Sequence, residues 1–165
     1  MRLSAAKWAS PASMMTAMAC TVLVACEAPQ APVDEDPPEP PARTGWSADS
    51  MGPSVSYASD DGTPLIRLTC LSGPARIQVV GERFEPIASE DRMSVGVGDE
   101  VYAFVADLES SRSSGVLANG DAPDDLLQRL EAGGEIGLSY GAQSEGPVPG
   151  LTGELAANFV AACRG

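Results

Sequence analysis

Beyond about residue 54 the chain alternates apolar and polar positions with a period of two, then changes to spacings of three and four. Val55 and Tyr57 alternate in a short run, and Ile66, Leu68 and Cys70 alternate against Leu65, Arg67 and Thr69. Such alternation predicts half-buried strands. Asp60-Asp61-Gly62 and Ser72-Gly73-Pro74 supply turns around them, and in the next strand Ile77 and Val79 share a face. Met93, Val95 and Val97 form a further strand that turns at Gly98-Asp99-Glu100. The return strand carries Val101, Ala103 and Val105 on one side and Tyr102 and Phe104 on the other. Apolar residues on both sides predict a central strand covered on both faces.

The second half brings helical spacing. Asn119-Gly120 closes a short Val116-Leu117 segment, and Asp121 is placed to cap a helix that opens with Pro123, Asp124 and Asp125. Acids favour that end of the helix dipole. Leu126, Leu127 and Leu130 make its apolar stripe and Gly133-Gly134 its stop. Ile136, Leu138 and Tyr140 predict another strand, followed by a proline and glycine loop over residues 141–150. Thr152 then caps a last helix in which Leu155, Phe159 and Cys163 recur every four residues. The expected fold is α+β: an antiparallel sheet or small sandwich of about five to seven strands, packed with two helices in the C-terminal half.

The N-terminal region has a different pattern. Arg2 and Lys7 precede an uncharged run over residues 14–25 (MMTAMACTVLVA). A membrane span needs about 20 apolar residues, whereas the apolar part of a secretory signal has roughly 7 to 15. The run ends in Leu23-Val24-Ala25-Cys26, which resembles the lipobox of bacterial lipoproteins. The resemblance implies cleavage after Ala25 and acylation of Cys26, so that the lipid bilayer is a partner of the mature chain. Glu27, where an aspartate would hold such a protein at the inner membrane, implies the periplasmic face of the outer membrane. Cleavage at an Ala-x-Ala site such as Ala17-Met18-Ala19 is the simpler alternative and leaves Cys20 and Cys26 free.

Residues 27–45 (EAPQAPVDEDPPEPPARTG) hold six prolines and five acids in 19 positions. Proline removes backbone donors and the acids repel one another, so an extended spacer is expected. The predicted organisation is thus a signal peptide over 1–25, a lipidated cysteine and tether over 26–45, and one domain over 46–165. That domain has 7 arginines against 18 acids, a net charge of -11. Such a charge argues against a nucleic-acid partner. The chain has no histidine, which excludes His-ligated metal, a Ser-His-Asp triad and an imidazole switch.

Of the four cysteines, Cys70 and Cys163 remain once Cys20 is cleaved away and Cys26 acylated. An even pair in an exported chain favours a disulfide over two buried thiols. The bridge would close a loop of about 94 residues, for which chain entropy gives roughly 4 to 5 kcal/mol. A catalytic thiol is disfavoured, because neither cysteine has a Cys-x-x-Cys partner, a histidine or a lysine to lower its pKa.

Other candidates fail on chemistry. Gly137-Leu138-Ser139-Tyr140-Gly141 matches the hydrolase nucleophile elbow, yet no base is available to Ser139 and the sequence after it predicts no helix. Asp60-Asp61, Glu90-Asp91, Asp99-Glu100 and Asp124-Asp125 lack calcium-loop spacing and belong to turns or a helix start. The glycines of Val95-Gly96-Val97-Gly98 open no phosphate-binding helix. Arg76, Arg83, Arg92 and Arg129, with Trp46, could mark a binding face or simply aid solubility. Phe159-Val160-Ala161-Ala162-Cys163-Arg164, with an early strand cysteine and a leucine-rich helix, resembles small proteobacterial envelope proteins of unassigned activity. The expected function is a non-enzymatic accessory or binding module of the envelope, with no metal, no cofactor and an envelope protein as its partner. The alternative is a carboxylate-dependent periplasmic hydrolase or an inhibitor of an envelope enzyme.

Overall fold

The computed structural model describes residues 44–50, 52–72, 75–112 and 115–165. The expected signal peptide, Cys26 and nearly all of the expected tether lie outside them. Nine strands form one antiparallel sheet: β1 (Gly45–Ala48), β2 (Ser54–Ala58), β3 (Pro64–Leu71), β4 (Arg76–Gly81), β5 (Arg92–Val97), β6 (Glu100–Ala106), β7 (Val116–Asp121), β8 (Ile136–Tyr140) and β9 (Gln143–Val148). Their spatial order is β1-β2-β3-β4-β7-β6-β5-β8-β9. Helices α1 (Asp124–Glu131) and α2 (Gly153–Arg164) complete the α+β fold.

The sheet curls, so its two ends come near each other. The Trp46 indole on β1 donates to the carbonyl of Pro149, just beyond β9. Residues 82–91, between β4 and β5, bridge the same curl from another direction. Phe84 there is buried and stacks on Tyr140 with ring centroids 6.3 Å apart. Gln143 on β9 holds the Glu85 backbone at both ends: its amide oxygen accepts the Glu85 N–H and its amide nitrogen donates to the Glu85 carbonyl, each at 2.8 Å. Arg83 adds a two-nitrogen pairing with the Glu145 carboxylate at 2.9 and 3.2 Å. The crossing thereby fastens β8 and β9 to the β3–β4 part of the sheet.

The alternation sets which side is the core. Ile66, Leu68 and Cys70, Ile77 and Val79, and Met93, Val95 and Val97 point inward and are all buried. Leu126, Leu127 and Leu130 of α1, and Phe159 and Val160 of α2, close over them. Cys163 on α2 is bonded to Cys70 on β3 across a Cα–Cα distance of 5.0 Å. The stop of α1 is a paired cap: Gly133 (φ +78°) donates to Leu130 and Gly134 to Arg129. The positive φ at Gly133 is why glycine suits that position.

Four local expectations are corrected. Residues 141–150 contain β9 rather than a loop. Edge strands tolerate Pro147, because one side of β9 needs no ladder partner. Asn119-Gly120 lies inside β7, where the glycine makes room for Phe104: a Cβ on Gly120 would sit 2.6 Å from that ring. Neither helix uses the predicted side-chain cap, since Pro123 and Thr152 occupy the cap positions without a capping hydrogen bond. Finally, β6 is central but is not covered on both faces. Phe104 is buried, while Val101 and Val105 are 68% and 66% exposed.

Candidate functional site

The core offers little room for a ligand. The void between α1 and the sheet is about 10 Å³, no larger than one water requires. On the outer sheet face, opposite the helices, the alternation displays the polar half of each strand.

Register aligns two rows there. Ser56, Arg67, Val80 and Leu117 run side by side across β2, β3, β4 and β7, and Ser54, Thr69, Gln78 and Asn119 form the next row. All but Ser56 and Asn119 of these, with Asp49 and Ser50, surround an open depression of about 460 Å³, within the size range of small-ligand sites. Ser54 Oγ donates to the Leu68 carbonyl at 3.1 Å and bonds Thr69 Oγ1 at 2.8 Å. Gln78 donates its amide to Asn119 Oδ1 at 3.2 Å. A wider depression of about 630 Å³ lies beside Arg76 and Val105, but among the described residues no ion pair converges on it.

Charge converges at Arg67. Its Nη2 lies 2.7 Å from Glu82 Oε1, and its Nε lies 3.9 Å from Asp49 Oδ2. Asp49 is positioned by Ser56, whose hydroxyl reaches both carboxylate oxygens at 3.0 and 3.1 Å. Glu82 is positioned by its backbone, which donates to the Leu65 carbonyl at 2.9 Å. The Glu82 contact is a charge pair off the hydrogen-bond axis, so Glu82 Oε1 has no aligned donor. Among the described residues Arg67 Nε has no acceptor within range, although both atoms are buried. Burial raises the Glu82 pKa above its ordinary 4.5, Arg67 opposes that rise, and Asp49 adds to it. A buried donor without an acceptor costs about 1 to 3 kcal/mol.

The sequence candidates are scattered by comparison. Ser139 projects from the outer face of β8 and is followed by a turn and β9. Arg83 is held by Glu145, Arg129 by Asp99 and Glu100, and Arg164 by Glu131. Arg76 and Arg92 lie on the outer face, while Trp46 packs edge-on against Tyr57 at 5.4 Å; these residues form no single binding face. Asp61 falls to about pKa 2 because the Ser59 hydroxyl and then the Thr63 backbone donate to it. Asp99 is lowered by its own backbone amide and then by Arg129. Those acids stabilise turns.

Asp49, Arg67 and Glu82 were not singled out by the sequence analysis. The available signal was Arg67 itself, a charged residue at the middle of the longest alternating strand. Among the described residues no helix is long and apolar enough to cross a membrane. Comparison with protein-family models, curated proteins and solved structures finds no match to this chain.

Proposed function

We propose that the protein is a lipid-anchored accessory module of the cell envelope, held through Cys26 at the periplasmic face of the outer membrane, which binds a polar partner at the Arg67 pocket. The observation that carries the binding role is the half-exposed Arg67 side chain, set between Asp49 and Glu82 in the open depression on the helix-free face. The Leu23-Val24-Ala25-Cys26 sequence supports the anchor.

Two measurements test the two halves separately. Mass spectrometry of the mature N-terminus should find acylated Cys26, and Cys26→Ala should move the protein to the soluble fraction. An unmodified peptide spanning Cys26 overturns the anchor. Crosslinking in intact envelopes should recover a reproducible partner with the wild-type chain and lose it with Arg67→Ala. Equal recovery with both chains overturns the pocket assignment.

The raised pKa of Glu82 favours a second reading, a carboxylate-dependent hydrolase. Against it, Arg67 stands between the two carboxylates and pairs the Glu82 charge. Turnover of an ester, peptide or glycoside that is lost in Glu82→Gln while the domain stays folded would favour the hydrolase.

A further inference from the structure

The side chains of the Arg67 depression bond to one another in a way that fixes what each has left to offer. Ser54 gives its single hydrogen to the Leu68 carbonyl, so the Thr69 hydroxyl is the donor in the Ser54–Thr69 pair. Thr69 Oγ1 then keeps only lone pairs for anything outside. Gln78 spends an amide hydrogen on Asn119, and among the described residues its Oε1 receives none. The two Asp49 oxygens share the one Ser56 hydrogen and keep lone pairs of their own. Thr69, Gln78 and Asp49 all line the depression, and all three face it as acceptors. The donor among them is Arg67, whose side chain is 42% exposed. Its Nη2 is on Glu82 and its Nη1 has no partner among the described residues.

Charge narrows the ligand. Arg67 carries one positive charge, and Asp49 and Glu82 stand on either side of it. An anion drawn to Arg67 meets two carboxylates, and a cation drawn to Asp49 meets the guanidinium. A neutral polar ligand avoids both penalties. Strand position narrows it further. β3 and β4 are paired on both sides, so an extended peptide laid here gains none of the main-chain bonds that a sheet edge gives. The lining also holds no aromatic side chain and no deep apolar pocket of the kind that anchors a protein partner. Its apolar part is Val80 and Leu117, which lie in the row next to Thr69 and Gln78. The complementary ligand has several hydroxyls, each able to donate and accept, on a skeleton of C–H groups.

We propose that the depression binds a neutral glycan. Sugar hydroxyls donate to Asp49, Thr69 Oγ1 and Gln78 Oε1 and accept from Arg67, while ring C–H groups lie against Leu117 beside Val80. Glu82 acts as a positioning residue that holds Arg67. The depression is open and crosses β2, β3, β4 and β7, so it suits an internal stretch of a glycan chain rather than one enclosed sugar. This names the chemistry of the polar partner and rests on the binding role given to the Arg67 pocket.

The test titrates the full-length, isotope-labelled chain in detergent and follows its amides by NMR. The probes are two neutral tetrasaccharides, chitotetraose and maltotetraose, with acetate as an anion and lysine methyl ester as a cation. At least one tetrasaccharide should give saturable shifts at Asp49, Ser50, Arg67, Thr69 and Gln78, and neither ion should. Arg67→Ala should weaken the sugar at least tenfold. Thr69→Val keeps the branched shape, removes the acceptor and should weaken it at least threefold, so it carries the test if Arg67→Ala does not fold. Unmoved amides at the buried Val95 and Leu138 show that a variant is folded. No saturable sugar shift, unchanged affinity in a folded variant, or a stronger response to either ion overturns the glycan. Envelope crosslinking separates the two claims: a partner lost in Arg67→Ala, with no sugar response, leaves the pocket assignment standing and removes the glycan.

Discussion

Tyr140 fastens the β4–β5 crossing through Ile87: its hydroxyl accepts the Ile87 N–H at 3.1 Å and shares its own hydrogen between the carbonyls of Ile87 and Glu90, at 3.0 and 2.9 Å. One phenol on β8 thus satisfies backbone groups of a segment about 50 residues earlier in the chain. Tyr140→Phe keeps the ring against Phe84 and removes only the hydroxyl. The expected loss is about 1 to 3 kcal/mol, the cost of part-buried backbone groups left unpaired. Hydrogen exchange should show the Ile87 amide losing protection while the β3 and β4 amides keep theirs; unchanged protection at Ile87 would refute the role.

The Cys70–Cys163 bridge joins β3 to α2 over 93 residues. Its contribution comes mainly from restricting the unfolded chain, so Cys163→Ala should destabilise by about 2 to 5 kcal/mol while the native fold is retained. Chemical denaturation of the wild-type and variant chains, with alkylation confirming the oxidised state of the former, measures it.

Glu82 gives stability a pH dependence with a definite sign. Its folded pKa lies above the ordinary 4.5 because burial outweighs the attraction of Arg67. The folded state therefore holds that proton more tightly than the unfolded state. The stabilisation is complete below about pH 4.5 and is lost as pH rises through the raised value. Glu82→Gln should remove this component. Urea denaturation from pH 4 to 7 tests it, and parallel curves for the two chains would exclude Glu82 as the source.

Gly120→Val forces two methyl groups into the Phe104 ring. Overpacking of this kind costs about 1 to 3 kcal/mol, so the melting temperature should fall. The contrast with Gly96→Val, where the space above the strand is open, makes the pair informative. Equal effects of the two substitutions would show that strand glycines here act through propensity alone.

The alternating strands from β3 to β6, and both leucine- and phenylalanine-bearing helix faces, were legible because their apolar periods are long and uninterrupted. The strands that escaped are the ones whose pattern is weakest. β1 is four residues long, and β9 contains Gly146 and Pro147 yet persists as an edge. Val101 and Val105 misled for a physical reason: alternation reports which residues share a face but not whether anything covers it. The Arg67 pocket was illegible because its charges come from the end of β1, the middle of β3 and the turn after β4, brought together by register rather than by sequence spacing.

The strand order has a consequence for how the chain assembles. Six of the eight pairings join consecutive strands and can zip locally. The other two, β4 with β7 and β5 with β8, join segments about 40 residues apart. These two seams must meet loop-closure entropy before their hydrogen bonds form. Until β7 arrives, β4 presents an open row of backbone donors and acceptors beside the apolar Ile77 and Val79, and β5 does the same while it waits for β8. A newly made chain thus passes through a stage with two sticky interior borders, and its yield is set by how quickly those seams close compared with how often chains collide.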